Sequence, residues 1–158
     1  QPSSVANQAL LTWDQLNLLV ADGWELGAHT RTHPLLTTVS LEAAEHEILT
    51  SKQEIETHVG KEVRAFAYPY GASNSQVDSI VRRNFAGAVG ANLGLVGRQS
   101  NRFLLPRIDA HYLRPELIPV MGRPIFSQYL KLRQSMRRIR RRVRPDWETA
   151  LSPYTAYG

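Results

Sequence analysis

The sequence predicts an α/β fold built on a parallel sheet or barrel, and two observations carry that prediction. Strand-like and helix-like segments alternate from residue 12 to residue 108. The two segments richest in chemistry, HTRTHP at 29–34 and AYPYG at 67–71, each follow a predicted strand, as functional groups do in such folds.

Taken in order, Thr12 with Gln15 has the spacing of a capping box, Trp13, Leu16, Leu19 and Val20 share one face of the helix it opens, and Gly23 closes it. Residues 24–30 (WELGAHT) are short and apolar-rich and run into His33-Pro34, which predicts a buried strand leading to a loop. Ser40 opens a longer helix in which Leu41, Ala44, Ile48, Ile55 and Val59 recur at helical spacing, with Glu42, Glu45 and Glu47 near its start and Gly60 at its end. Residues 64–71 read as a second strand ending in a Pro-Tyr-Gly turn. Residues 75–84 read as a helix with Val77, Ile80 and Val81 inward, and 86–91 as a third strand. A fourth strand over 103–108 contains Pro106, which confines it to a sheet edge or a strand terminus.

At 158 residues and 42% hydrophobic, the chain can bury one core. It has no apolar run long enough to span a bilayer, and residues 1–10 lack the basic and apolar regions of a signal peptide. The absence of cysteine excludes disulfides and thiolate metal sites, leaving His, Asp, Glu and backbone oxygen as ligands. The net charge of +5 is unevenly spread: residues 1–122 carry ten Lys or Arg against twelve Asp or Glu, and the remainder nine against two.

This asymmetry divides the chain into a domain over 1–112, a Pro-rich linker over 113–124 and an Arg-rich amphipathic helical tail over 125–158. The tail places Leu132, Met136, Ile139 and Val143 at alternating three and four spacings among arginines. Such a helix packs on the domain with its arginines solvated, lies on an anionic membrane surface or contacts an acidic polymer. Nucleic acid is the least favoured partner, because the domain itself is slightly acidic and has no basic surface interleaved with aromatics.

His29 and His33 have the separation that brings two imidazoles to one side of a helix or tight turn, and two neutral imidazoles suit a divalent metal such as zinc. Catalytic zinc usually takes a third protein ligand, which must come from elsewhere. Pro69-Tyr70-Gly71 can form a rigid turn that presents a backbone N–H to the same cavity. His46 and His58 fall on the long helix and are read as solvated or capping residues.

In sequence order, WELGAHTRTHPLLT, an acidic helix ending in Gly60, VRAFAYPYGASN, GAVGAN and LLPRID resemble the NodB-homology polysaccharide deacetylases, carbohydrate esterase family four, over residues 12–109. The resemblance implies a partial or distorted (β/α) barrel and a hydrolase that removes N-acetyl groups from a polysaccharide or oligosaccharide. His29 and His33 would bind a divalent metal, usually zinc, and Tyr70 would offer its backbone N–H to the oxyanion. An extracellular or cell-envelope setting is implied as well. The family's Asp-Asp motif, which holds the catalytic base and the third ligand, has no match in these 158 residues, so the chain alone is expected to be weak or inactive. Ala67 stands where the family often has arginine, with Arg64 and Arg107 as candidate substitutes, and the FAYPYG form resembles a branch acting on exported poly-N-acetylglucosamine-like polymers. His111 is out of pattern with the family's late histidine. The alternatives are a non-catalytic carbohydrate-binding scaffold and a membrane-tethering module acting through the tail. An open barrel also invites self-association.

Overall fold

The structure, a computed structural model, describes residues 10–108, 121 and 123–143, with side chains in the last helix through Met136 and that of Ile139. Its elements run α1 (Trp13–Ala21), β1 (Gly27–Ala28), α2 (Leu41–Val59), β2 (Ala65–Ala67), a 3-10 turn (Pro69–Gly71), α3 (Ser75–Asn84), β3 (Gly87–Leu93), β4 (Leu105–Arg107) and α4 (Pro124–Val143). The four strands form one parallel sheet in the order β1-β2-β3-β4, so the predicted α/β architecture is present as an open arc.

The helices begin and end where local chemistry stops them. Thr12 and Gln15 close the capping box on α1 with bonds of 3.3 and 2.9 Å. Ser40 accepts from Ala43 N at the start of α2, and Gly60 ends that helix in the left-handed conformation (φ 65°), returning its N–H to Glu56 O. Asn74 caps α3 by accepting from Val77 N at 2.9 Å. The exit of α2 is tied to the entry of β2 by Glu56, whose Oε1 accepts from Val63 N at 2.8 Å while pairing with Lys52 at 2.7 Å.

Sheet register then sets the core. Ala28 lies opposite Phe66 and Phe66 opposite Ala88, and all three are buried on one face against Ala44 and Ile48 of α2 and Val77, Ile80 and Val81 of α3. The other face alternates to Gly27, Ala65, Ala67, Gly87 and Val89, which with Leu105 line an open cavity of about 470 Å³. Pro106 sits on β4 at the edge of the sheet, where its missing N–H costs no ladder bond.

The structure differs from the expectations at four places. The strand expected over 24–30 is paired only at Gly27 and Ala28, and Trp24 is 62% exposed, because β1 lies at the edge of the sheet and pairs on one side only. In α2, Leu41 is exposed, and Ser51 joins Ala44 and Ile48 as a buried residue, its hydroxyl satisfied by Ile48 O at 2.9 Å. In α4 the stripe of Leu132, Met136 and Ile139 faces outward. The face that packs instead carries Phe126 and Leu130, one helical turn apart, on Leu93 of β3, with Ile108, Met121 and Tyr129 around them. Pro124, taken as the end of the linker, is the first residue of α4, and residues 113–120 and 122 of that linker lie outside the described residues.

Ile48 is fully buried at the meeting of α2, the sheet and α3. An Ile48→Ala variant is expected to lose about 3 kcal/mol of stability by urea denaturation, since it creates a cavity where three elements meet. Leu132→Ala, on the exposed side of α4, should lose less than about 0.5 kcal/mol.

Candidate functional site

The predicted site residues gather where the first two strands end. His29 leaves β1 directly, and its Nδ1 lies 2.8 Å from the carbonyl oxygen of Ala67, the last residue of β2. A carbonyl only accepts, so this contact requires Nδ1–H as donor and leaves the lone pair of Nε2 directed elsewhere. The next four residues turn back sharply: Thr30 (φ 65°) and His33 (φ 61°) both take left-handed backbone, and Thr30 Oγ1 accepts from His33 N at 3.1 Å. Each such non-glycine conformation costs on the order of 1 kcal/mol and persists only where its surroundings impose it. The sequence separation of His29 and His33 therefore works through a strained turn, with no helix between them. Their ring centroids are 4.8 Å apart in an edge-to-face arrangement.

Tyr70 completes the cluster. The 3-10 turn closes through Gly71 N to Tyr68 O (2.9 Å) and Ala72 N to Pro69 O (3.1 Å), so the Tyr70 N–H is outside the turn's own ladder. Tyr70 itself is left-handed (φ 57°), and its ring stands 4.7 Å from that of His33, edge to face. Gly71 is required beside it, because it has φ 67° and a Cβ there would overlap Ala91 of β3. Below the turn, Tyr68 is fully buried and donates to Asp78 Oδ1 at 3.3 Å; burial, then the Asp78 charge, push its hydroxyl up to about 12.

Partial burial lowers the pKa of His33, and the neighbouring His29 lowers it further, partly opposed by the backbone hydrogen bond. Both lowering causes favour the neutral imidazole, which is the form that ligates a metal.

Sequence reasoning missed Glu47. From the second turn of α2 its Oε2 accepts from Arg31 N and Thr32 N, and its Oε1 from Thr32 Oγ1, all at 2.8 Å. One carboxylate thus clamps the turn between the two histidines. Partial burial alone would raise its carboxyl; the bonds from Thr32 and Arg31 and the nearby His46 outweigh that and hold its pKa below the ordinary carboxylate range. Glu42, Glu45 and Glu47 look alike in the sequence as helix-dipole residues, and no sequence signal singles out Glu47.

The remaining candidates lie elsewhere. Arg107, at the end of β4, donates from Nε to Gly90 O of β3 at 2.7 Å and so ties the edge strand down. Arg64 precedes β2 and lies at the opposite end of that strand from Ala67 and His29. His58 stacks on Trp13 (3.9 Å between centroids, 8° between planes) and donates from Nδ1 to Glu54 O, which joins α1 to the end of α2. His111 lies outside the described residues. Among the described residues no group of three or more His, Cys, Asp or Glu is placed to hold a metal.

The clamp yields a measurable consequence. Glu47→Ala is expected to cost about 2 kcal/mol in chemical denaturation, whereas Glu47→Gln, whose carbonyl can accept both N–H groups while its amide donates to Thr32 Oγ1, should cost less than half of that. Because the folded carboxyl is depressed, its stabilisation is present at neutral pH and lost as pH falls through the folded pKa. The alanine variant should lack that acid-dependent component, and an unchanged acid limb would remove the clamp from the account.

The polysaccharide deacetylase family profile matches residues 3–86. Among solved structures, the deacetylase PplD of Streptococcus pyogenes, in complex with acetate, is 28% identical with a TM-score of 0.61, covering 66% of this chain and 46% of its own. A polysaccharide deacetylase from Bacillus cereus (23% identity, TM-score 0.58) covers 65% of this chain and 33% of its own. The BpsB deacetylase domain from Bordetella bronchiseptica (19%, 0.58) covers 63% and 48%. The latter two attest the fold alone, and the chain spans about half or less of the length of each of these three structures. No curated protein matches the chain. The profile match extends over more than half of the sequence, from before α1 to the start of β3, and takes in both histidines and Tyr70: the chain belongs to the polysaccharide deacetylase family.

Proposed function

We propose that this chain supplies the paired-imidazole and oxyanion-binding part of a hydrolase that removes N-acetyl groups from a polysaccharide or oligosaccharide. The observation that carries the reading is the convergence of His29, His33 and Tyr70 at one end of the sheet, with His29 oriented by Ala67 O.

The donor set fits a divalent metal, zinc above all. The two imidazoles lie edge to face within 4.8 Å, one is oriented in the tautomer that leaves Nε2 available, and the other is held toward its neutral form. A metal bound there would supply Lewis acidity, polarising the acetamide carbonyl and making a coordinated water easier to deprotonate. The chain's own contribution is positional. His29 and His33 would hold that charge at the strand ends, and the Tyr70 N–H, unused by its own turn, would donate to the oxygen that becomes negative as the carbonyl is attacked. The Tyr70 ring, 40% exposed, flanks the same space and gives a sugar ring a surface to lie on. The described residues offer two ligands, so the third ligand and the proton-accepting carboxylate of this reaction come from outside them.

Two outcomes follow. Zinc titrated into the chain by calorimetry should bind, and the heat should vanish in a His29→Ala, His33→Ala variant; equal heats in both would separate the histidines from the metal. Acetate release from an N-acetylated chitooligosaccharide should be weak or undetectable with this chain alone. Vigorous release abolished by a chelator would show that this chain carries a complete site and overturn that expectation.

A further inference from the structure

The outer face of α4 is unused by the site and by the core. Phe126 and Leu130 anchor the helix on Leu93, yet Ile125, Leu132, Met136 and Ile139, which fall on one line along the helix, are 63%, 60%, 43% and 61% exposed. A 20-residue helix is about 30 Å long, so this is an extended apolar stripe on a protein surface. From Arg123 to Arg144 the sequence has nine Lys or Arg and no Asp or Glu. None of the helices among the described residues is long and apolar enough to cross a membrane.

We propose that α4 docks the protein on an anionic lipid surface, its apolar stripe entering the headgroup boundary and its cationic sequence neutralising lipid charge. The two features are needed together: the stripe supplies burial and the positive charge selects negative headgroups. A second copy of this chain is disfavoured as occupant, because pairing α4 with itself would bring two runs of arginine together. An acidic polymer would match the charge but leave the stripe without a role. Docking also has a directional consequence. Leu93, where α4 is anchored, lies two residues beyond Ala91, which abuts the Tyr70–Gly71 turn, so the lipid-bound helix holds the histidine-bearing end of the sheet near the surface.

The test uses the whole chain with vesicles of phosphatidylcholine alone or mixed with phosphatidylglycerol, read by co-sedimentation. The chain should sediment with the mixed vesicles, not with phosphatidylcholine alone, and added salt should weaken the binding. A triple variant, Leu132→Gln, Met136→Gln, Ile139→Gln, should weaken it by at least about tenfold while melting at the same temperature, since all three positions are exposed. No binding to mixed vesicles, or equal binding by the triple variant, overturns the proposal. So does a dimer in solution that the variant abolishes while vesicles go unbound, which would assign the stripe to a second copy.

Discussion

His29 can reach the Ala67 carbonyl because β1 and β2 run parallel with Ala28 opposite Phe66. That register does two things at once. On the helix-covered face it stacks Ala28, Phe66 and Ala88 against Ile48, Val77 and Ile80, and at the strand ends it brings the residue after β1 level with the last residue of β2. A one-residue slip would send Phe66 to the open face and move the carbonyl away from the imidazole, so core burial and site geometry are one constraint. The hydrophobic contacts of Phe66 thereby help to fix the orientation of His29, which is itself exposed and whose ring meets only that of His33 among the described ring contacts.

On that frame the site is held by backbone held in unfavourable conformations. Thr30, His33 and Tyr70 all occupy left-handed backbone without being glycine, and each is restrained nearby: Thr30 Oγ1 accepts from His33 N, Glu47 clamps Arg31 and Thr32, and Gly71 lets the Tyr70 turn settle against Ala91. The result is two imidazoles and a tyrosine whose relative placement rests on fixed backbone, the arrangement that lowers the reorganisation needed when a ligand arrives.

Much of this was legible in the chain. The Thr12/Gln15 capping box, Ser40 and the glycine at 60 mark α1 and α2 in the sequence, and the spacing of Val77, Ile80 and Val81 marks α3, whereas the Asn74 cap of α3 went unread. His29, His33 and Tyr70 were singled out by motifs at the ends of predicted strands and by the family resemblance, and the fold brings their rings together there. Other features depend on contacts distant in sequence. The Glu47 clamp spans fifteen residues and looks like an ordinary helix-start carboxylate until the turn folds over it. The sequence left open whether the periodic stripe of Leu132, Met136 and Ile139 packs on the domain, and the residues that do pack, Phe126 and Leu130, stand outside that stripe and meet Leu93 from a distant part of the chain. Arg107 was a candidate substitute for the arginine that the family often has at the Ala67 position, and its bond to Gly90 O could be known only once β4 was paired.

The central claim is that β2 presets the first imidazole for its role before any ligand is present. A long-range proton–nitrogen NMR spectrum of the histidine rings at neutral pH, assigned with a His29→Gln variant, reads the tautomer directly. His29 is expected to carry its proton on Nδ1, donated to Ala67 O, with Nε2 unprotonated. A His29 ring protonated on Nε2, or exchanging freely between both tautomers, would contradict it.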